Sequence, residues 1–259
     1  MNHGVPSGTV ASAVTAARAF HEEPRAARAA FYSVEPVGAV AWRDTLRVRF
    51  GPGEPDLGRL PAACRDALRE YQRSLTAFGK EMAGVLSEAL GVGAERLEEA
   101  MQVEGWLMAC HYYPPCPEPA RVVGSLEHTD PSLFTVLAQD GVGGLQVRRD
   151  DGGAGGGGEW VDVAPLTGAL LQVVSNDELK SVEHRVVIKS TQDARVSIAL
   201  FFNPAKRGAS DHFGPLPELV TAEKPAQYRS FTVPEFMSSR REYGHSRSSI
   251  ERFKVSSSQ

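Results

Sequence analysis

Between Trp106 and Phe202 the chain breaks into short runs in which apolar and polar residues alternate, separated by turn-forming glycine and proline. LMACHYY, LFTVLAQ, GGLQVRR, EWVDVA, ALLQVV, HRVVIK and RVSIALFF each have the length and period of a strand and are rich in β-branched and aromatic residues. So many short strands at close spacing predict a mainly β core, a sandwich or jelly roll. The tract DDGGAGGGGE from Asp150 to Glu159 reads as a flexible hairpin tip. It is not a phosphate-binding loop, because the strand-like EWVDVA follows it where a dinucleotide fingerprint would need a helix.

The flanks have a different period. From Val10 to Phe31 the residues Val10, Val14, Ala17 and Phe20 follow helical spacing, with Pro24 as a break. From Pro61 to Leu90, Cys64, Leu68, Tyr71, Leu75, Phe78, Met82 and Leu86 advance by three or four, which predicts a long amphipathic helix opening at Pro61. Short helices are expected at Ala94–Met101 and from Val233-Pro234 onward, and a short strand at Thr45–Phe50. This pattern divides the chain into a helical N-terminal region (1–100), a β core (101–209) and a C-terminal loop and helix (210–259).

His128-Thr129-Asp130 stands where one strand-like region gives way to the next apolar run. An extended backbone sends residues i and i+2 to one face, so an imidazole and a carboxylate at this spacing converge on one point. With His184, two histidines and one aspartate form the facial triad that leaves open positions on a non-haem ferrous iron. Cysteine-rich zinc spacing is absent. The other histidines, among them His21, His111 and His212, are expected in structural or surface roles.

Composition removes several function classes. A net charge of -4 with no long like-charge block provides no basic footprint for nucleic acid or acidic membranes. Cys64, Cys110 and Cys116 make an odd count without a CxxC pair, which suits free thiols in a reducing cytosol. No apolar run approaches the roughly 18 residues of a membrane span, and the first residues lack a signal-peptide core. The expectation is a cytoplasmic monomer with small-molecule partners.

NHGVP at Asn2, WRDT at Trp42, YYPPCPEP at Tyr112 and HTDPSLFTVLAQDGVGGLQV at His128 occur in order, followed by EWVDV, SNDELKSVEHRVV, RVSIALFF and YGHSRSSIERFKV. By these segments the chain resembles the plant-type iron(II)- and 2-oxoglutarate-dependent dioxygenases, in the branch of 1-aminocyclopropane-1-carboxylate oxidase homologues. The resemblance implies a double-stranded β-helix with His128, Asp130 and His184 as iron ligands. It implies that Arg195 catches the distal carboxylate of 2-oxoglutarate as a planar fork, with Ser197 and Tyr113 as further donors. Leu133, Phe134 and Phe202 are implied on the substrate side, ascorbate as a reductant, and O2 with a small specialised metabolite or hormone as the other reactants. Succinate and CO2 would be released.

Three departures from the family pattern stand beside this. The strand and helix that relatives carry before NHGVP are expected to be missing, which would expose a sheet edge. About seven residues, one strand, are expected to be deleted after Leu170, between the first ligand pair and His184. His111 replaces the usual asparagine before the tyrosine pair. These departures motivate the competing expectation of a catalytically impaired, truncated or misspliced relative that acts at most as a binding protein.

Overall fold

The computed structural model describes residues 4–31, 41–51, 58, 60–149, 158–163, 175–179, 181–206, 208–243 and 248–255. The expected hairpin tip at 150–157, the ALLQVV strand and the expected deletion after Leu170 lie outside the described residues.

Two antiparallel sheets face each other as a jelly roll. The major sheet has the order β1-β2-β8-β4, from Asp44–Arg49 (β1), Val103–Tyr113 (β2), Phe134–Gln139 (β4) and Arg195–Pro204 (β8). The minor sheet has the order β3-β7-β5-β6, from Val123–His128 (β3), Leu145–Arg149 (β5), Glu159–Asp162 (β6) and His184–Val187 (β7). β8 is central and buried on both faces, as its continuous apolar stretch dictates.

Strand parity separates the two faces of the major sheet. Val196, Ile198, Leu200 and Phe202 point outward into a core shared with the helices, whereas Arg195 and Ser197 point inward. Helix α1 (Ser7–Glu22) packs into that core through Ala13, Ala17 and Phe20, its Arg18 is tied to Asp140 at 2.7 Å, and a single turn, α2 (Arg25–Arg28), follows it. Helix α3 (Arg65–Ala89) contributes Leu68, Tyr71, Leu75, Gly79, Ala83 and Leu86 along one stripe. Gly79 lets α3 lie directly on Phe202, since a Cβ there would stand 2.0 Å from the phenyl ring.

α3 opens at Arg65, not at Pro61. Pro61 starts a hydrogen-bonded turn, and Cys64 (φ −128°, ψ −2°) interrupts helical geometry before the helix begins. The short helix after Gly93 spans Arg96–Met101 (α4), and the C-terminal one spans Val233–Tyr243 (α5). The three cysteines are buried free thiols. Among the described residues no helix is long and apolar enough to cross a membrane.

Candidate metal and co-substrate site

His128 ends β3, His184 begins β7, and the two are direct partners in the register of the minor sheet. That pairing brings a histidine from far along the chain to within a ring-centroid distance of 4.2 Å of the first. Asp130 follows just beyond the end of β3, and its Oδ1 lies 3.7 Å from the Nε2 of each histidine. All three ligand atoms fall within 4.8 Å of one another.

The orientation of each group is fixed by a second bond. His128 Nδ1 faces the carbonyl of Leu126 at 2.8 Å, and His184 Nδ1 faces that of Val182 at 3.2 Å. Each Nδ1 therefore carries the proton and donates, leaving the Nε2 lone pair aimed at the cluster. Asp130 Oδ2 accepts from the Thr135 hydroxyl at 2.7 Å, and Thr135 is in turn 2.8 Å from the Ser132 hydroxyl. Burial and the facing His184 push His128 down to about 4, so it is neutral near pH 7. Two imidazoles and one carboxylate, with their unshared oxygen and nitrogens convergent, fit a hard-to-borderline divalent metal with open positions.

The other sheet holds a cationic recess. Arg195 is 4% exposed, and its Nη1 donates to Ser197 Oγ at 3.0 Å and its Nη2 to Gln139 Oε1 at 2.6 Å. Its guanidinium sits 4.9 Å from the centre of the Tyr113 ring. Tyr113 pairs with Arg195 across β2 and β8, and Gln139 pairs with Ser197 across β4 and β8, so register explains the grouping. Arg195 Nε is buried without a hydrogen-bond partner, as is Gln139 Nε2. Among the described residues Arg195 meets no carboxylate, which leaves a buried cation and orphan donors prepared for an anion.

Leu133, Phe134 and Phe202 are not brought to this site. Phe202 lies an odd number of positions from Arg195 and so points to the other face, where it stacks on Phe134 at 4.6 Å between centroids under α3. Leu133 packs against the same helix-backed core. The inner face carries their neighbours Thr135, Leu137 and Phe201 instead.

The fold also supplies site residues with no sequence motif to mark them. Arg240 of α5, 3% exposed, reaches back to donate from Nη2 to the carbonyl of Thr129 at 2.8 Å, between the two ligands of the His-x-Asp segment. Thr135 and Gln139 occupy alternate positions of β4, and their polarity on one face of an otherwise apolar strand was the available signal.

A jelly roll bearing two histidines and an aspartate at one end, with a buried arginine nearby, defines the class of the non-haem iron oxygenases. The comparisons agree, and the chain belongs to the 2OG-Fe(II) oxygenase superfamily, whose family model matches residues 105–204. It is 37% identical over 259 residues to 1-aminocyclopropane-1-carboxylate oxidase homolog 12 of Arabidopsis thaliana, covering 91% of this chain and 69% of that protein. Against homolog 11 of the same plant the identity is 38%, with the same shares covered. Among solved structures, JOX2 in complex with 2OG, Fe and JA superposes with a TM-score of 0.85 at 28% identity, covering 98% of this chain and 80% of that one. The dioxygenase for auxin oxidation in rice has the same fold, with a TM-score of 0.79 at 24% identity, covering 98% and 88%.

Proposed function

We propose that this chain oxidises a small organic molecule with O2 at an iron(II) held by His128, Asp130 and His184, using 2-oxoglutarate bound through Arg195, Ser197 and Tyr113. The observation that carries the reading is the pairing of His128 with His184 in one sheet while Arg195 gathers Ser197 and Gln139 in the facing sheet. Metal ligands and an anion site thus sit on opposite walls of one barrel. When bound, the iron supplies oxygen activation coupled to decarboxylation of 2-oxoglutarate.

The protein's own residues do the rest. Arg195 presents a planar fork suited to a carboxylate and fixes the far end of the co-substrate. The Ser197 hydroxyl can turn from Arg195 to the same carboxylate, and the Tyr113 ring closes one side of the recess. Leu137, packed with the Tyr113, Leu145 and Val186 cluster, keeps the interior apolar and water-poor. The similarity to JOX2 and to a dioxygenase for auxin oxidation supports a hormone or specialised metabolite as the oxidised molecule. Ascorbate as reductant, a cytoplasmic location and a monomeric state complete the reading.

An impaired binding protein is the weaker alternative. Ligands that precede and follow residues 164–174 converge within one cluster, and Arg195 stands beside Ser197 and Gln139 as the chemistry asks. Calorimetric titration of 2-oxoglutarate into manganese-loaded protein tests the proposal. Binding that requires the metal, is lost in His184→Ala and is weakened in Arg195→Met is expected. Binding indifferent to metal and to both variants would overturn it.

A further inference from the structure

The Arg195 fork stands at the end of a strand. β4 pairs with β8 from Phe134 with Phe202 to Gln139 with Ser197, and β2 pairs with β8 as far as Tyr113 with Arg195. Arg195 is thus the first residue of β8 and lies beyond the last β4 pair. Strand ends open more readily than strand centres. A planar fork, by contrast, has to meet a carboxylate to within about 0.5 Å.

An ion pair closes this end from the helix side of the sheet. Arg18 of α1 donates from Nη2 to Asp140 Oδ2 at 2.7 Å and to the carbonyl of Ala194 at 3.0 Å. Asp140 Oδ2 also accepts from the Val196 N–H at 2.5 Å, and Oδ1 accepts from the Val142 N–H at 3.1 Å. The Asp140 N–H returns a bond to the Val196 carbonyl at 3.0 Å. The peptide groups on both sides of Arg195 are therefore gripped by one pair of side chains. Ala194 and Val196 are both buried, so the pair answers backbone groups that solvent does not reach.

Helix docking alone does not account for Arg18. α1 is seated by Ala13, Ala17 and Phe20, all of them fully buried. At the surface Arg18 has Glu22 one turn along, with Nη1 3.6 Å from Oε1, and a half-exposed pair of that kind contributes little. Its shorter bonds run inward, to the backbone around a single residue.

We infer that Arg18 is a positioning residue for the co-substrate: through Asp140 and the Ala194 carbonyl it fixes the backbone that carries Arg195. The inference rests on the oxygenase reading above, in which Arg195 takes the distal carboxylate of 2-oxoglutarate. Gln139, adjacent to Asp140 in the chain, accepts from Arg195 Nη2 at 2.6 Å, so the ion pair places the fork and its side-chain acceptor together. His128 and His184 belong to the minor sheet, and among the described residues no bond of Arg18 or Asp140 reaches them or Asp130.

The test is calorimetric, on manganese-loaded protein. 2-Oxoglutarate is titrated beside 2-oxopentanoate, which keeps the metal-chelating 2-oxo acid end and lacks the distal carboxylate. Arg18→Met is expected to weaken 2-oxoglutarate binding about 10-fold, the scale of coupling within one hydrogen-bond network. Manganese and 2-oxopentanoate should bind as they do in the wild type. Arg18→Lys, which keeps the charge on a compact head, should recover part of the loss. In an Arg195→Met background, Arg18→Met should have no further effect on 2-oxoglutarate. Undiminished 2-oxoglutarate binding in Arg18→Met overturns the inference. An equal loss for 2-oxopentanoate or for manganese overturns it too, since that is general loosening of the fold, as do losses that add in full in the double variant. If Arg18→Met does not fold, Arg18→Lys and Asp140→Asn decide: a loss confined to 2-oxoglutarate supports the inference, and unchanged binding in both overturns it. If wild-type protein binds no 2-oxoglutarate, or Arg195→Met binds it unaltered, the oxygenase reading falls first and this inference falls with it.

Discussion

The Thr135 hydroxyl donates to Asp130 Oδ2 at 2.7 Å, and this leaves Oδ1 facing the Nε2 atoms of His128 and His184 at 3.7 Å each. One oxygen of the carboxylate is thus tethered and the other is presented. Thr135→Val removes the tether at nearly constant volume. Metal affinity is expected to fall by about 10- to 100-fold, the usual consequence of losing a group that orients a ligand. Competition with a chelator measures it, and an unchanged affinity would mean that Asp130 is aimed by its backbone alone.

Arg240 holds the same segment through the carbonyl of Thr129. Arg240→Met should cost about 1.5–3 kcal/mol of stability, as a buried carbonyl loses a charged donor. It should also loosen the spacing between His128 and Asp130. Urea denaturation and metal titration on one sample check both effects, and Arg240→Lys, with a shorter and differently shaped donor group, should recover only part.

Gly79 is the point where α3 meets the sheet. Gly79→Ala would place a methyl group inside the Phe202 ring, 2.0 Å from its nearest carbon. A destabilisation of about 1–3 kcal/mol is expected, with the melting temperature as the readout. Phe202→Leu in the same background should relieve part of it, since the two positions are in contact.

His21 fixes the direction of one pH effect. It is 2% exposed, its Nε2 is 3.1 Å from the Cys110 carbonyl, and its ring stacks on Tyr112 at 5.3 Å. Burial, more than any charge, pushes it down from 6.5 to about 4. The unfolded chain then binds more protons than the folded one between those values, so stability falls as pH drops from 6.5 and levels off below 4. The loss amounts to about 3 kcal/mol at 1.36 kcal/mol per unit. His21→Gln should flatten that segment of a stability-against-pH profile, although His111, lowered in the same sense, leaves a residual slope.

Much of the architecture was legible as periodicity. Alternation in RVSIALFF and LMACHYY marked β8 and β2, and the stripe from Leu68 to Leu86 marked α3, because those patterns are local consequences of how backbone geometry disposes side chains. His128 and Asp130 were legible for the same reason. His184 is named as the third member by residue type and by the resemblance, whereas the pairing that brings it there depends on a cross-strand register that no single segment encodes. Arg240 was hidden more deeply, because its partner Thr129 lies 111 positions away and nothing in FMSSRRE distinguishes it from its neighbour Arg241. Phe134 and Phe202 were misplaced although the information was present: counting parity from Arg195 assigns Phe202 to the helix-facing side, and the β4–β8 register then carries Phe134 with it.

The central claim is that one metal, held by His128, Asp130 and His184, couples 2-oxoglutarate to O2. The most direct test is succinate formation by the purified chain in air with ferrous iron, 2-oxoglutarate, ascorbate and a panel of hormones and specialised metabolites. Succinate that requires iron, rises with one of them and disappears in His184→Ala is the predicted result. Succinate formation that is unchanged in His184→Ala, or that proceeds after chelation of the iron, would contradict the account.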